Sequence, residues 1–120
     1  MHEAAIAYAI VEQVDERPNA APNEVVRAVH VRIGALSSVV PDALHFAWEL
    51  AAQGTSLEGA ALVVEHVPLT IACSPCGRTR VVDGAPIPVC PICGTPSAEI
   101  VGGRELDIVR LEVWDAHPAG

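Results

Sequence analysis

The chain has 120 residues, and its 7 basic against 15 acidic side chains give a formal net charge of −8. Because an acidic surface repels phosphate backbones, we expect no general nucleic-acid binder and no nucleic acid among the partners. No apolar stretch approaches the roughly 20 residues of a membrane span and the first residues lack a secretory signal pattern, so we predict a cytoplasmic protein with reduced thiols and no membrane partner.

Two segments in the first half have the three-and-four spacing of apolar residues that predicts an amphipathic helix. The first runs from Met1 to Arg17 and ends at Pro18, where a predicted loop begins. The second begins at Pro41, a favoured first helical residue, and ends before Gly54. The apolar stripes contain Ile6, Ala7, Ile10, Val11 and Val14 in the first helix and Leu44, Ala47, Trp48 and Ala51 in the second.

Three segments have the composition of strands, at residues 24–33, 60–70 and 104–114. A cysteine-rich segment falls between the second and the third. This order predicts an α+β fold, with a small three-stranded sheet, two helices packed on it, and an inserted zinc-ribbon-like module with four cysteines. We expect a discontinuous α+β domain of residues 1–70 and 98–120 and a metal-binding domain of residues 71–97.

The four cysteines form two pairs, each with two residues between its members and a glycine after its second member; they are Cys73, Cys76, Cys90 and Cys93. Two such turns can direct four thiolates at one ion, which predicts a tetrahedral metal site. The alternatives are disulfides or free thiols, and cytoplasmic thiols disfavour disulfides. Iron also accepts four thiolates, but rubredoxin-like iron sites have aromatic cores and this segment has no aromatic residue. We therefore predict zinc, in a structural role because four protein ligands fill its coordination sphere.

The start of the chain offers a second set of metal ligands. The α-amino group of Met1, the main-chain nitrogen and imidazole of His2 and the amide of Glu3 can surround one ion in a plane. Planar nitrogen coordination suits Ni²⁺ or Cu²⁺. The residues alone leave open the alternative that His2 is an exposed side chain at a frayed terminus.

Two other classes of function compete with metal binding. A zinc ribbon that contacts protein or nucleic acid would need basic residues beside the cysteines, and only Arg78 and Arg80 qualify. For an enzyme, the sequence offers no nucleophile with its base, no open metal site and no phosphate loop. Thiol–disulfide catalysis by Cys73 and Cys76 is chemically conceivable. We predict a protein that is not an enzyme.

Several sequence motifs follow one another in a fixed order. They are Met1-His2-Glu3, the segment from Ile33-Gly34 through Val39-Val40-Pro41-Asp42-Ala43-Leu44 to Trp48-Glu49-Leu50, Glu58-Gly59-Ala60, both cysteine pairs, and Gly103-Arg104-Glu105-Leu106. In these motifs the chain resembles, over nearly its whole length, the HypA/HybF family of hydrogenase-maturation nickel metallochaperones. One departure is Ala5, where many members of the family have serine.

The resemblance implies that Ni(II) is a transient cargo and that Zn(II) is structural. It implies that His2 is the main nickel ligand, with the Met1 amine and the first main-chain nitrogens, and that Glu3 lies beside it. The implied partners are a nickel-maturation GTPase and the large subunit of [NiFe]-hydrogenase, with urease as a further recipient in some organisms. The sequence leaves both a monomer and a homodimer open.

The remaining histidines are expected to be structural or solvated rather than ligands. They are His30, His45, His66 and His117. Of these, His66 and His117 are the two candidates for a position near a metal.

Overall fold

Both helices form where the apolar spacing predicts them. The computed structural model describes residues 2–18 and 23–115, with only the main chain of Asp115, so the predicted loop after Pro18 lies largely outside the described residues. The elements in chain order are α1 (Glu3–Asp15), β1 (Glu24–Gly34), a short 3₁₀ turn (Ala35–Ser37), α2 (Pro41–Ala52), β2 (Ala61–Val67), β3 (Leu69–Cys73), β4 (Arg78–Val82), β5 (Ile100–Gly102) and β6 (Leu106–Asp115).

The helices pack against each other through the predicted stripes. Ala7 and Leu44 are fully buried, one from each helix. Trp48 is buried as well, and its indole N–H donates to the carbonyl of Ala60 at 2.9 Å, which satisfies the one polar atom of that side chain. The buried stripe residues are Ala7, Ile10, Val11 and Val14 in α1 and Leu44, Ala47, Trp48 and Ala51 in α2.

The first sheet has the strand order β2-β1-β6, so β1 is its central strand. Both faces of β1 carry buried side chains, as expected for a strand with neighbours on both edges and cover on its faces. Val26 and Ala28 are buried on one face, and Val29, Val31 and Ile33 on the other. This sheet and the two helices confirm the predicted α+β class.

The predicted strand at residues 60–70 is wrong in one respect, because it is two strands. Pro68 separates β2 from β3. Proline has no N–H to donate to a ladder and restricts the residue before it, so a continuous strand cannot pair regularly through it. β2 joins the first sheet, whereas β3 is the centre of a second three-stranded sheet, β4-β3-β5, which the sequence pattern did not predict.

In the second sheet, β3 pairs antiparallel with both neighbours. Its alternate residues Leu69, Ile71 and Cys73 are almost completely buried. They form one apolar cluster with Cys90, and Leu36, Val82 and Ile100 pack around it. Two of the four buried side chains in this cluster are therefore cysteines.

Two glycines of the family-like motifs meet in this region. The N–H of Gly34 donates to the carbonyl of Glu105, and the N–H of Leu36 donates to the carbonyl of Gly103, both at 2.8 Å. A Cβ on Gly34 would lie 2.1 Å from the carbonyl carbon of Gly103. Only glycine allows the two backbones to approach this closely.

The chain divides into two compact units. One contains Met1–Val31, Val39–Val64 and Ile108–Gly120, and the other contains Arg32–Ser38 and Glu65–Asp107. The first unit includes His2 and Glu3, and the second includes all four cysteines. The predicted domain boundaries at residues 70/71 and 97/98 remain a prediction. Neither described helix is long and apolar enough to cross a membrane.

Candidate metal centre

Two tight turns of the same construction present the cysteines. In the first, the N–H of Gly77 donates to the carbonyl of Cys73 at 2.8 Å, and in the second the N–H of Gly94 donates to the carbonyl of Cys90 at 2.9 Å. Both glycines have positive φ, 67° and 77°, which a side chain would disfavour. The spacing of the cysteines and the glycine after each pair thus correctly indicate the local structure.

The four sulfur atoms lie within 4.8 Å of one another. Sγ of Cys73 is 3.5 Å from Sγ of Cys93, and Sγ of Cys76 is 3.9 Å from Sγ of Cys90. Tetrahedral zinc with Zn–S bonds of about 2.3 Å separates its sulfurs by roughly 3.8 Å. A disulfide needs about 2.05 Å, and all four thiols are free. The geometry fits a four-thiolate metal site and disfavours the disulfide alternative.

Hydrogen bonds from residues on either side of the Cys90–Cys93 turn hold this turn in place. The N–H of Cys90 donates to the carbonyl of Thr95 at 2.9 Å, and Val89 forms a bridge with Pro96. The Ser97 hydroxyl donates to the carbonyl of Ala72 at 2.6 Å, next to the first turn. These bonds hold the two turns in one place, so the sulfurs need little reorganisation to bind an ion.

Two thiols are poised to ionise. The main-chain N–H of Cys93, 3.5 Å from Sγ of Cys90, is the main cause that lowers the pKa of Cys90 to about 6. The hydroxyl of Thr95, whose oxygen is 3.2 Å from Sγ of Cys93, is the main cause that lowers the pKa of Cys93. Thr95 is a contributor that the sequence reasoning missed, although its place two residues after Cys93 is a usable signal.

Cys73 behaves in the opposite way. An amide hydrogen bond from Cys76 favours its thiolate, but burial and the neighbouring sulfurs outweigh that bond and raise the pKa of Cys73 to about 12. Four sulfurs so close together cannot all carry a charge without a cation between them. The cluster therefore favours exchange of its last protons for a metal ion.

His2 is the N-cap of helix α1 and is exposed. Its carbonyl accepts the first helical hydrogen bond, from the N–H of Ile6 at 2.9 Å, and its side chain makes no capping bond. The first N–H groups of a helix have no partner within the helix. The imidazole of His2 is thus exposed beside the start of the helix. Met1, the third predicted contributor, lies outside the described residues.

Glu3, in contrast to His2, is buried, with 7% of its surface exposed. Its carboxylate accepts a hydrogen bond from the main-chain N–H of Val40 at 3.0 Å. Val40 is the N-cap of helix α2. The family resemblance predicts Glu3 beside the nickel ligand, but it does not predict this hydrogen bond. The two residues are 37 positions apart, and a short sequence motif gives no information on contacts at that separation.

No histidine joins the sulfur cluster, which is the only candidate group of metal ligands found in residues 2–18 and 23–115. His66 is exposed, and His117 lies outside the described residues. The ring of His30 forms a hydrogen bond with the carboxylate of Glu112 and lies 3.4 Å from a guanidinium nitrogen of Arg110. The structural or solvated role predicted for His30 agrees with these contacts.

The comparisons with known proteins agree over nearly the full chain. Residues 1–113 match the family model HypA, described as hydrogenase/urease nickel incorporation, metallochaperone. The chain is 43% identical to a hydrogenase maturation factor HypA from Chloroflexus aggregans, over 93% of this chain and 98% of the relative. It is also 43% identical to a hydrogenase maturation factor HypA from Streptomyces avermitilis, over 96% of this chain and 88% of the relative.

A solved structure supports the fold. The solution structure of the Ni metallochaperone HypA from Helicobacter pylori matches with a TM-score of 0.59, over 93% of this chain and 97% of that one. At 22% identity, this likeness bears on the fold alone.

Proposed function

The chain belongs to the HypA family of hydrogenase/urease nickel-incorporation metallochaperones, and on that premise we propose that it binds Ni(II) at its N-terminus and delivers it for maturation of [NiFe]-hydrogenase. Urease is a second candidate recipient. A metallochaperone carries a metal ion and hands it on, so the protein is a maturation factor and not an enzyme. The observation that carries the proposal is the exposed, uncapped His2 at the start of α1.

The proposed nickel ligands are the imidazole and main-chain nitrogen of His2, the amine of Met1 and the main-chain nitrogen of Glu3. Their support is the exposed imidazole of His2, which makes no capping bond at the start of the helix. Binding requires a neutral imidazole and a deprotonated amine, so nickel affinity falls as the pH falls.

The exposed position of the proposed site, at the start of a helix, also favours release of the nickel ion. A delivery protein must give up its cargo to a partner, and a site with few surrounding groups can be approached from solvent. The proposed partners in this transfer are a nickel-maturation GTPase and the hydrogenase large subunit, in the cytoplasm. The formal charge of −8 favours cations near the surface.

For the cysteine cluster we propose a structural Zn(II), held by Cys73, Cys76, Cys90 and Cys93. The support is the close grouping of the sulfurs and the absence of any fifth candidate ligand among the described residues. Zinc with four thiolates has no open position for substrate. Binding of the ion would stabilise the fold of residues 71–97, which we propose as the zinc-binding domain. The proposed nickel-binding domain is discontinuous and consists of residues 1–70 and 98–120.

The alternative function, a zinc-ribbon module that binds protein or nucleic acid without nickel delivery, depends on basic residues beside the cysteines. Of its two arginines, Arg78 is exposed and Arg80 is partly buried. One exposed arginine on an acidic chain is a weak basis for binding nucleic acid.

The direct test is a calorimetric titration with Ni²⁺ of the zinc-loaded protein, prepared with its native first residue. The wild type, His2→Ala and His66→Ala are compared, since His66 is an exposed histidine outside the proposed site. We expect one nickel site in the wild type and in His66→Ala, and none in His2→Ala. Equal nickel binding by all three proteins would contradict the proposal.

A further inference from the structure

We propose that Arg80 is a positioning residue of the four-cysteine site, whose guanidinium contacts the sulfurs of Cys76 and Cys90 and strengthens metal binding by balancing their negative charge. The inference deepens the proposed function and rests on the proposed zinc ion. It concerns only the second compact unit, which contains both the arginine and the cysteines.

The register of the second sheet directs Arg80 toward the cysteines. In the antiparallel pairing of β3 with β4, Arg80 is opposite Ile71 and Arg78 is opposite Cys73. Directly opposed residues project from the same face of a sheet, and so do alternate residues of one strand. Arg80 therefore shares a face with Ile71 and Cys73, both of which are buried.

That face is an unusual place for a cation. Around it lie Leu69, Ile71 and the partly buried Val82, which belong to the apolar cluster of this unit. Nε of Arg80 is buried and has no hydrogen-bond partner in the part of the chain that the structure describes. A guanidinium in such surroundings is costly unless a negative charge compensates it.

The sulfurs supply this compensation. Cys73 shares the face of Arg80, Cys90 is buried in the same cluster as Ile71 and Cys73, and Cys76 packs against that cluster. The sulfurs therefore bring negative charge to the surroundings of the guanidinium. A zinc ion with four thiolates carries a net charge of about −2. One guanidinium beside two of the sulfurs offsets part of that charge and donates hydrogen bonds to the ligands, which is the usual manner in which neighbouring groups tune a metal site.

Arg78 provides a matched control. It lies on the same strand, carries the same charge and faces the same side of the sheet, but it is exposed. A change at Arg78, which is opposite Cys73 but exposed to solvent, therefore removes the same charge from the same strand and leaves the partly buried guanidinium of Arg80 in place. Any difference in zinc affinity between the Arg80 and the Arg78 variants is therefore due to the buried position of the Arg80 guanidinium.

The experiment compares zinc-loaded wild type, Arg80→Gln and Arg78→Gln in competition with a chromogenic zinc chelator at fixed pH. We expect Arg80→Gln to bind zinc about 10–100-fold more weakly than wild type, and Arg78→Gln to resemble wild type. In the proteins loaded with Co²⁺, the sulfur-to-cobalt charge-transfer band should move to longer wavelength in Arg80→Gln alone, because sulfurs without the guanidinium hold their electrons less tightly. Equal affinities and equal spectra for the two glutamine variants would overturn the inference.

A second pair of variants covers the case in which Arg80→Gln fails to fold. Arg80→Lys keeps the charge but loses the planar fork of donors, so it should bind zinc more weakly than Arg78→Lys. Equal zinc binding by the two lysine variants would overturn the inference. Metal analysis of the wild type separates the proposed zinc site from the proposed role of Arg80. A wild type that takes up no zinc contradicts the zinc site and with it the role of Arg80. The nickel titration of His2→Ala does not depend on Arg80.

Discussion

The carboxylate of Glu3 accepts a hydrogen bond from the main-chain N–H of Val40 at 3.0 Å. This bond joins the first residue of α1 to the N-cap of α2. A carboxylate is favoured at a helix N-terminus, where unpaired N–H groups concentrate positive charge. The residue that follows His2 is thereby fixed to the second helix, which orients the main-chain nitrogens of the proposed nickel site.

Replacement of Glu3 by alanine should destabilise the protein. It leaves the N–H of Val40 without this acceptor, and a hydrogen bond to a charged group contributes about 1.5–3 kcal/mol. We expect a loss of that size in the free energy of unfolding, measured by urea denaturation. Glu12→Ala, at an exposed position of the same helix, should change it by less than about 0.5 kcal/mol. A loss no larger than that of Glu12→Ala would show that the Val40 bond contributes little.

Gly34→Ala should be among the most damaging single-methyl substitutions in the second unit. The new Cβ would meet the carbonyl carbon and oxygen of Gly103 at 2.1 Å, and backbone atoms cannot rotate away. Overpacking of this kind costs about 1–3 kcal/mol and occasionally more, and we expect the upper end of that range in chemical denaturation.

The control for this substitution is Gly84→Ala. Gly84 has φ of 78° with nothing within 4 Å of a Cβ, so only the backbone conformation opposes the change, at about 1–2 kcal/mol. If Gly34→Ala unfolded no more easily than Gly84→Ala, the close approach of Gly34 and Gly103 would not exist in solution.

Thiol alkylation should separate the cysteines of the zinc-free protein. Cys93 is exposed and its pKa is lowered, so its reactive thiolate is present at lower pH than that of an ordinary cysteine. Cys73 is buried and its pKa is raised to about 12, so it stays a thiol at neutral pH. Iodoacetamide labelling near pH 7, followed by mass spectrometry, should modify Cys93 first and Cys73 last. Labelling of Cys73 as fast as Cys93 would contradict this order.

Zinc removal should loosen the second unit and spare the helices. Cysteines make up two of the four buried side chains in the cluster around β3, so a chelator would remove the proposed ion that joins them. The buried stripes of α1 and α2 contain no cysteine. Hydrogen exchange after chelation should therefore lose protection in β3 and β4 and keep it in α1 and α2. Equal loss in both sets would indicate that the two units unfold together.

The sequence was sufficient wherever a structural feature depends on near neighbours in the chain. Apolar residues three and four apart correctly predict α1 and α2, and a Cys-x-x-Cys-Gly pattern correctly predicts each metal-binding turn. The split at Pro68 was also readable, since proline cannot continue a ladder, but the apolar residues on both sides suggested one strand.

Contacts between distant residues could not be read in this way. The bond from Val40 to Glu3 and the place of Arg80 on the face of Cys73 depend on how strands and helices come together. Arginine beside a cysteine pair suggests a basic surface when only the sequence is known. The register of β3 with β4 is what turns Arg80 to the face of Ile71 and Cys73.

The most direct test of the central claim is X-ray absorption at the nickel and zinc edges of protein loaded with one equivalent of each metal. We predict nickel surrounded by nitrogen and oxygen atoms with an imidazole signature that His2→Ala abolishes, and zinc surrounded by four sulfurs at about 2.3 Å. Sulfur in the nickel coordination sphere, or an unchanged nickel spectrum in His2→Ala, would contradict a nickel site at the start of the chain.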